Sequence, residues 1–336
     1  MAVIYDGSLD KEDYKGVFGR TIEALAGEDP DVIYLDADLM NSFGTYGFWQ
    51  RNKRQAINCG VSEANMMGVA AGLSAGGKKP YVHSFGPFAS RRSFDQIFIS
   101  IAYAGNSVRI FGSDPGVTAA FNGGTHMPFE DVALMRAVPG STVIDVSDAS
   151  LLEWVVREIK DRAGLTYVRT TRKKYPALYS KDHPFAIGKG EVLREGADAT
   201  VIACGLMAGE ALKAAKILAD SGISVRVVDM FTIKPVDAGL IIRCAEETGC
   251  IVTAENHNLI GGLGDAVGDV LLGNDCAATM RKIGVSEAFG SVGPQDYLQE
   301  HYGLTAGAVA EAVTEALKAK KQRGALGAPL LERHQI

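Results

Sequence analysis

Residues 80–111 read PYVHSFGPFASRRSFDQIFISIAYAGNSVRIF. A run of β-branched and aromatic residues (Pro80–Phe85) gives way to a stretch with helical spacing (Ala89–Ala104), and a second run (Ser107–Phe111) follows a Gly-Asn turn. Strand, helix and strand in about thirty residues form the unit that builds a parallel sheet with helices on its faces. The alternation extends in both directions. Further runs lie at Val32–Leu39, Thr142–Val146 and Leu165–Thr170, separated by helical stretches at Ser62–Ala75, Glu130–Ala137 and Ala149–Arg162. A second series has strands at Ala199–Cys204, Ser224–Met230, Cys250–Ala254 and Ala278–Gly284. Its helices are expected at Ala208–Asp220, Val236–Thr248, Leu263–Leu272 and Ala306–Lys320. Between the series, Lys173–Gly190 carries two prolines, several charges and no period, and reads as a connector. The expected fold is α/β with two domains, each a largely parallel sheet covered by helices, at 1–178 and 190–320; residues 322–336 read as an arm on the surface.

Composition narrows the function. Among 336 residues, 47% are apolar and 22% charged, which suits a globular chain and excludes collagen, coiled coil and disorder. Forty acidic against 34 basic residues leave a net charge of −6, so no basic field invites nucleic acid. The five cysteines are odd in number and lack a C-x-x-C pair, which argues against disulfides or structural zinc and for a reducing cytoplasm. No segment has the ~18 consecutive apolar residues of a membrane span, and the N-terminus lacks a basic start followed by an apolar stretch.

Ligands in open parallel sheets bind beyond the carboxyl ends of strands, so the loops after strands are the candidates. Ser62 is placed to cap a helix whose first turn carries Glu63, a residue that by itself also serves simply to complement the helix dipole. Phe85 and Phe88 are three apart after a strand, as core residues or a stacking platform. GSDPGVTAAFNGGTH (112–126) combines glycines with His126 at a strand mouth, where structural and catalytic roles are balanced. YVRTTRKKYP places Arg169, Arg172, Lys173 and Lys174 at another strand end. A solvated face accounts for most of them, with one arginine available to an anion. Gly262, Gly264 and Gly268 miss the dinucleotide fingerprint by one residue and read as a tight strand-to-helix connection.

In colinear order, GVSEANMMGVAAGLSAGGKKPYVHSFGPF, FDQI, GGTHMPFEDVALMRAVPG, DMFTIKPVD and ENHNLIGGLGDAVGDVL resemble the C-terminal half of transketolase from bacteria that encode the enzyme as two chains. The resemblance runs from about Tyr14 to Leu317. Deoxyxylulose phosphate synthase and the beta subunits of 2-oxoacid dehydrogenases share the architecture, but the T-H-x-P block is closer to transketolase.

The resemblance implies thiamine diphosphate chemistry on a pyrimidine-binding domain (1–178) followed by a transketolase C-terminal domain (190–320). Glu63 matches the glutamate that bonds the thiamine pyrimidine and promotes the tautomer that accepts the thiazolium proton. Phe85 and Phe88 match aromatics bordering that ring, and Asp38 and Ser42 match positions near the cofactor and the substrate phosphate. His126 matches a catalytic histidine on the sugar hydroxyls, and Arg172 a phosphate-binding arginine. Two departures bear on the substrate. Asn122 replaces a carboxylate that addresses a sugar hydroxyl, and Asp114 replaces a phosphate-contacting histidine, which reads as a repulsive group facing the head group. No G-D-G diphosphate motif occurs, so the diphosphate and Mg2+ ligands are expected on a partner chain, with self-association to α2β2. The implied reaction moves a two-carbon ketol unit from a ketose to an aldehyde; a 2-oxoacid dehydrogenase beta subunit and a non-catalytic scaffold are the alternatives. The resemblance assigns no role to His83, Arg91 or His257.

Overall fold

The computed structural model describes residues 3–331. Its first series of strands is β1 (Val32–Asp36), β2 (Ala56–Asn58), β3 (Lys79–Phe85), β4 (Val108–Ser113), β5 (Thr142–Asp145) and β6 (Leu165–Thr170). The second is β7 (Glu191–Arg194), β8 (Ala199–Ala203), β9 (Val225–Asp229), β10 (Thr232–Lys234), β11 (Cys250–Asn258) and β12 (Thr279–Val285). They make a seven-stranded sheet of order β10-β5-β6-β4-β3-β1-β2 and a five-stranded sheet of order β12-β11-β8-β9-β7. Every pairing is parallel except β10 with β5 and β7 with β9. β1, β4, β5 and β6 are buried along their whole length, as strands covered by helices on both faces must be.

The short strands β2, β7 and β10 escape the sequence reading because three or four residues are too few to show a period. β10 matters most. It lies between β9 and the helix Ala238–Thr248, yet crosses over to form the edge of the first sheet beside β5, so the second series is stitched into the first.

The continuous helix expected over Ala89–Ala104 is broken. One turn at Gly86–Ala89 and a 3-10 turn at Arg91–Ser93 precede a wide, π-type helix at Gln96–Tyr103. Serine hydroxyls compete for the backbone there: Ser90 Oγ donates to the Gly86 carbonyl (2.7 Å) and Ser93 Oγ to that of Phe88 (3.1 Å). The expected cap is also corrected. Ser62 Oγ donates back to Cys59 O at 2.9 Å instead of accepting from the helix Glu63–Ala75. Beyond the expected Ala306–Lys320, the last helix continues to Leu331, so the arm read at 322–336 is helical as far as 331; residues 332–336 lie outside the described residues. The connector is packed rather than loose, since Tyr175, Leu178, Tyr179 and Phe185 are buried and Asp148 Oδ2 accepts from the Leu178 and Tyr179 amides.

Arg169, expected on a solvated face, is fully buried. Its guanidinium bonds Asp131 (2.9 Å), Asp145 (2.8 Å) and the main-chain oxygen of Asn256 (2.9 Å) on β11, joining the two sheets through one cation. Asn256 then reaches the loop after β4: its Nδ2 donates to Pro115 O (2.9 Å) and its Oδ1 accepts from Val117 N (3.0 Å). Gly116, with φ +51°, allows this approach, because a β-carbon there would stand 2.1 Å from Asn256 Oδ1.

Candidate active site

Four loops converge at the carboxyl ends of the central strands of the first sheet. Glu63 opens the helix Glu63–Ala75 and is only 3% exposed. Its Oε1 accepts from Ser84 Oγ on β3 (3.1 Å) and its Oε2 from Arg92 Nη1 (3.0 Å). Beside it Phe85 and Phe88 stand edge to face with ring centroids 6.3 Å apart, and His126 meets their rings at 5.5 and 5.0 Å. Gly123, at φ +77°, turns the chain into the short 3-10 helix Gly124–His126 that delivers the imidazole. Arg91 steadies that turn through Thr125 O (3.3 Å) and an ion pair with Glu130. Burial and, less strongly, the Arg92 charge hold the His126 pKa below its usual value despite the opposing effect of Asp114, so the ring is neutral near pH 7.

Arg172 lies over the Phe85 ring at 5.1 Å and directs its Nε (2.7 Å) and Nη2 (2.6 Å) at Asp114 Oδ2. Asp114, 1% exposed at φ +55°, therefore does not face a head group as a bare repulsive anion: its carboxylate is committed to Arg172. Phe85, Phe88, His126, Arg172 and Asp114 thus form one chain of contacts, and Arg92, which lies over the Phe88 ring, links Glu63 to it. Among the described residues, no hydrogen bond, ion pair or ring contact joins Asp38, Ser42 or Asn122 to it. Asp38 is exposed at φ +67° and accepts from Asn58 Nδ2 (2.8 Å), Ser42 is half-buried on the same loop, and Asn122 is exposed.

The sequence reading did not assign Ser84, Arg92 or the support beneath the rim. Fully buried His83 bridges Asp36 Oδ2 (2.7 Å) and Ser113 Oγ (3.0 Å), with Phe43 stacked on its ring at 3.7 Å. That bridge ties the loop carrying Asp38 and Ser42 to the strand end that carries Asp114. Arg92 had a signal, since it follows Phe88 by four residues, a spacing that puts two side chains on one face of a helical turn. A buried carboxylate between an aromatic corner and a movable cation can accept the N–H of a planar heterocycle. The neutral imidazole and the arginine suit hydroxyls and an anion. Among the described residues, no group of three or more His, Cys, Asp or Glu side chains is placed to hold a metal ion.

Family models for the transketolase pyrimidine binding domain and the transketolase C-terminal domain match residues 10–177 and 188–309. The chain belongs to the transketolase family. It is 46% identical over 319 residues to the 6-deoxy-6-sulfo-D-fructose transketolase subunit SqwH of Clostridium sp. (strain MSTE9), covering 95% of this chain and 99% of that one. It is 34% identical over 302 residues to one of the subunits of the apulose-4-phosphate transketolase of Phocaeicola vulgatus (90% and 96%). A solved structure described as a split gene transketolase, inactive beta4 tetramer, is 40% identical with a TM-score of 0.83, covering 91% of this chain and 98% of that one. This transketolase chain is a transferase subunit of the split type, which acts in ketol transfer together with a partner; these relatives favour that activity over the 2-oxoacid dehydrogenase reading. None of its described helices is long and apolar enough to cross a membrane.

Proposed function

We propose that this chain, joined to a partner that carries the diphosphate and Mg2+ ligands, takes a two-carbon ketol unit from a ketose whose far end bears a singly charged sulfonate. The observation that supports the head group is the Asp114–Arg172 pair. With Asp114 held against it, Arg172 offers hydrogen-bond donors but little net charge. A phosphate monoester carries about −1.5 to −2 at pH 7, whereas a sulfonate carries a single charge, so the pair favours the sulfonate. The sulfosugar named for the relative SqwH agrees with this choice.

The residues fit the cofactor. Thiamine diphosphate, when bound, supplies an acidic thiazolium carbon that takes up the ketol unit. From its buried position the Glu63 carboxyl would pass a proton to the pyrimidine ring nitrogen and take it back, an exchange that an amide at this position could not make. Phe85 and Phe88 wall the ring. Neutral His126 accepts and returns a proton at the sugar hydroxyl next to the reacting carbonyl, and Arg172, its fork fixed by Asp114, grips the far end. Asp38, Ser42 and Asn122, on the loops after β1 and β4, address cofactor and sugar across the rim that the partner closes. The working assembly is α2β2 in the cytoplasm, where the five free cysteines stay reduced.

Initial rates of the purified two-subunit complex test the substrate. With one aldehyde acceptor, kcat/KM for 6-deoxy-6-sulfofructose should exceed that for fructose 6-phosphate by about tenfold, the worth of one favourable charge-assisted contact. Equal or faster use of the phosphate would overturn the head-group assignment.

A further inference from the structure

Arg92 makes two contacts with the site: its guanidinium carbon lies over Phe88, 3.8 Å from the ring centroid, and its Nη1 donates to Glu63 Oε2 at 3.0 Å. Those are the contacts assigned above to the cofactor's pyrimidine, a face on an aromatic ring and an N–H on the buried glutamate. A guanidinium, like an aminopyrimidine, is planar and rich in N–H donors. Glu63, with Ser84 as its other side-chain partner, would be a poorly compensated carboxylate at 3% exposure without that cation. The Arg92 side chain is itself 45% exposed and sits on the 3-10 turn Arg91–Ser93; among the described residues it has no other hydrogen bond. It is therefore free to leave.

We propose that Arg92 stands in for the pyrimidine until the cofactor arrives, and that thiamine diphosphate must displace it from both Glu63 and Phe88. Arg92 is then a self-blocking side chain that keeps the buried glutamate paired and lowers cofactor affinity until the complex supplies the remaining ligands. This inference rests on the reading of Glu63 and Phe88 as the pyrimidine site.

Calorimetric titration of the two-subunit complex with thiamine diphosphate at saturating Mg2+ tests it. R92A should bind about tenfold more tightly than the wild type, because one ion pair and one cation–π contact no longer have to be broken. R92K, which keeps the charge but loses the planar group over Phe88, should fall between the two, and guanidinium ion at millimolar concentration should weaken binding to R92A. Unchanged or weaker affinity in R92A would overturn the displacement. R92M, with a comparable stem and no charge, replaces R92A if the alanine variant melts early. Turnover of E63Q separates the two readings: its loss alongside unaltered R92A affinity rejects only the stand-in role, whereas its retention rejects the pyrimidine site itself.

Discussion

Each sheet carries a buried carboxylate near its carboxyl rim beside a glycine-bearing loop, Glu63 in the first and Glu255 in the second, yet the two are occupied in opposite ways. Both oxygens of Glu255 are taken by main-chain donors, Leu263 N (2.7 Å) and Gly264 N (2.8 Å). A β-carbon at Gly262 would stand 1.8 Å from Glu255 Oε2, so no space is left. His257 accepts from Ala133 N (3.4 Å), and Arg136 bonds the Gly262 carbonyl (2.9 Å), both from the first domain. Burial pushes Glu255 up to about 7 and His257 down to about 4. The partners of Glu63 are instead two side chains, one of them half-exposed. A carboxylate spent on the backbone belongs to the domain junction, while one paired to a half-exposed arginine can exchange that partner for a ligand.

Glu63→Gln should leave the melting temperature of the complex near wild type and cut turnover by ~10²–10⁴-fold. Glu255→Gln should do the reverse, lowering Tm with little change in kcat. A loss of turnover in a well-folded Glu255 variant would mean that the second rim is not merely structural.

Arg169→Met, probing the sealed junction, should cost about 3–5 kcal/mol in urea unfolding, since Asp131 and Asp145 lose their buried cation. A cost under about 1 kcal/mol would show that the junction is held mainly by apolar contacts and β10.

Asp229, at the end of β9, makes the stability of the second sheet depend on pH. It is fully buried, accepts hydrogen bonds from Ser147 and from Tyr179 (2.8 Å), and burial raises its pKa from 3.8 to about 7. The folded state therefore holds a proton that the unfolded state releases between those values, and stability falls as pH rises through that window. Asp229→Asn removes this dependence. Its advantage over the wild type should grow from pH 4 to pH 7, up to roughly 4 kcal/mol, and stay constant above. Parallel unfolding curves for the two proteins across that range would contradict a buried, protonated Asp229.

The smallest effect concerns the open rim. Asp114→Asn should restore the net charge of Arg172 and move the kcat/KM ratio toward phosphorylated ketoses by about tenfold, with thiamine diphosphate affinity unchanged. An unchanged ratio would separate specificity from that pair.

Much of the candidate site's placement was legible because each element announces itself within a few residues: Glu63 at a helix start, Phe85 and Phe88 after a strand, His126 after paired glycines. Arg169 and Asp114 were misread for a common reason. A charged residue in a sequence shows its sign but not its partner, and these partners lie 24 to 87 positions away. His83 was unreadable on the same ground, since Asp36 is 47 residues from it.

The alternation of strand and helix, the two largely parallel sheets and the family resemblance can all be read from the chain alone. Those follow from apolar period, turn residues and motif order, which are local properties. The crossing of β10 to the first sheet, the bonds of Arg169 to both sheets, the pairing of Asp114 with Arg172 and the cover of Arg92 over Glu63 emerge only when the chain is folded. Each of these depends on which distant groups are brought together as burial strips them of water, and a polar group that loses water must take whatever partner the packing places beside it.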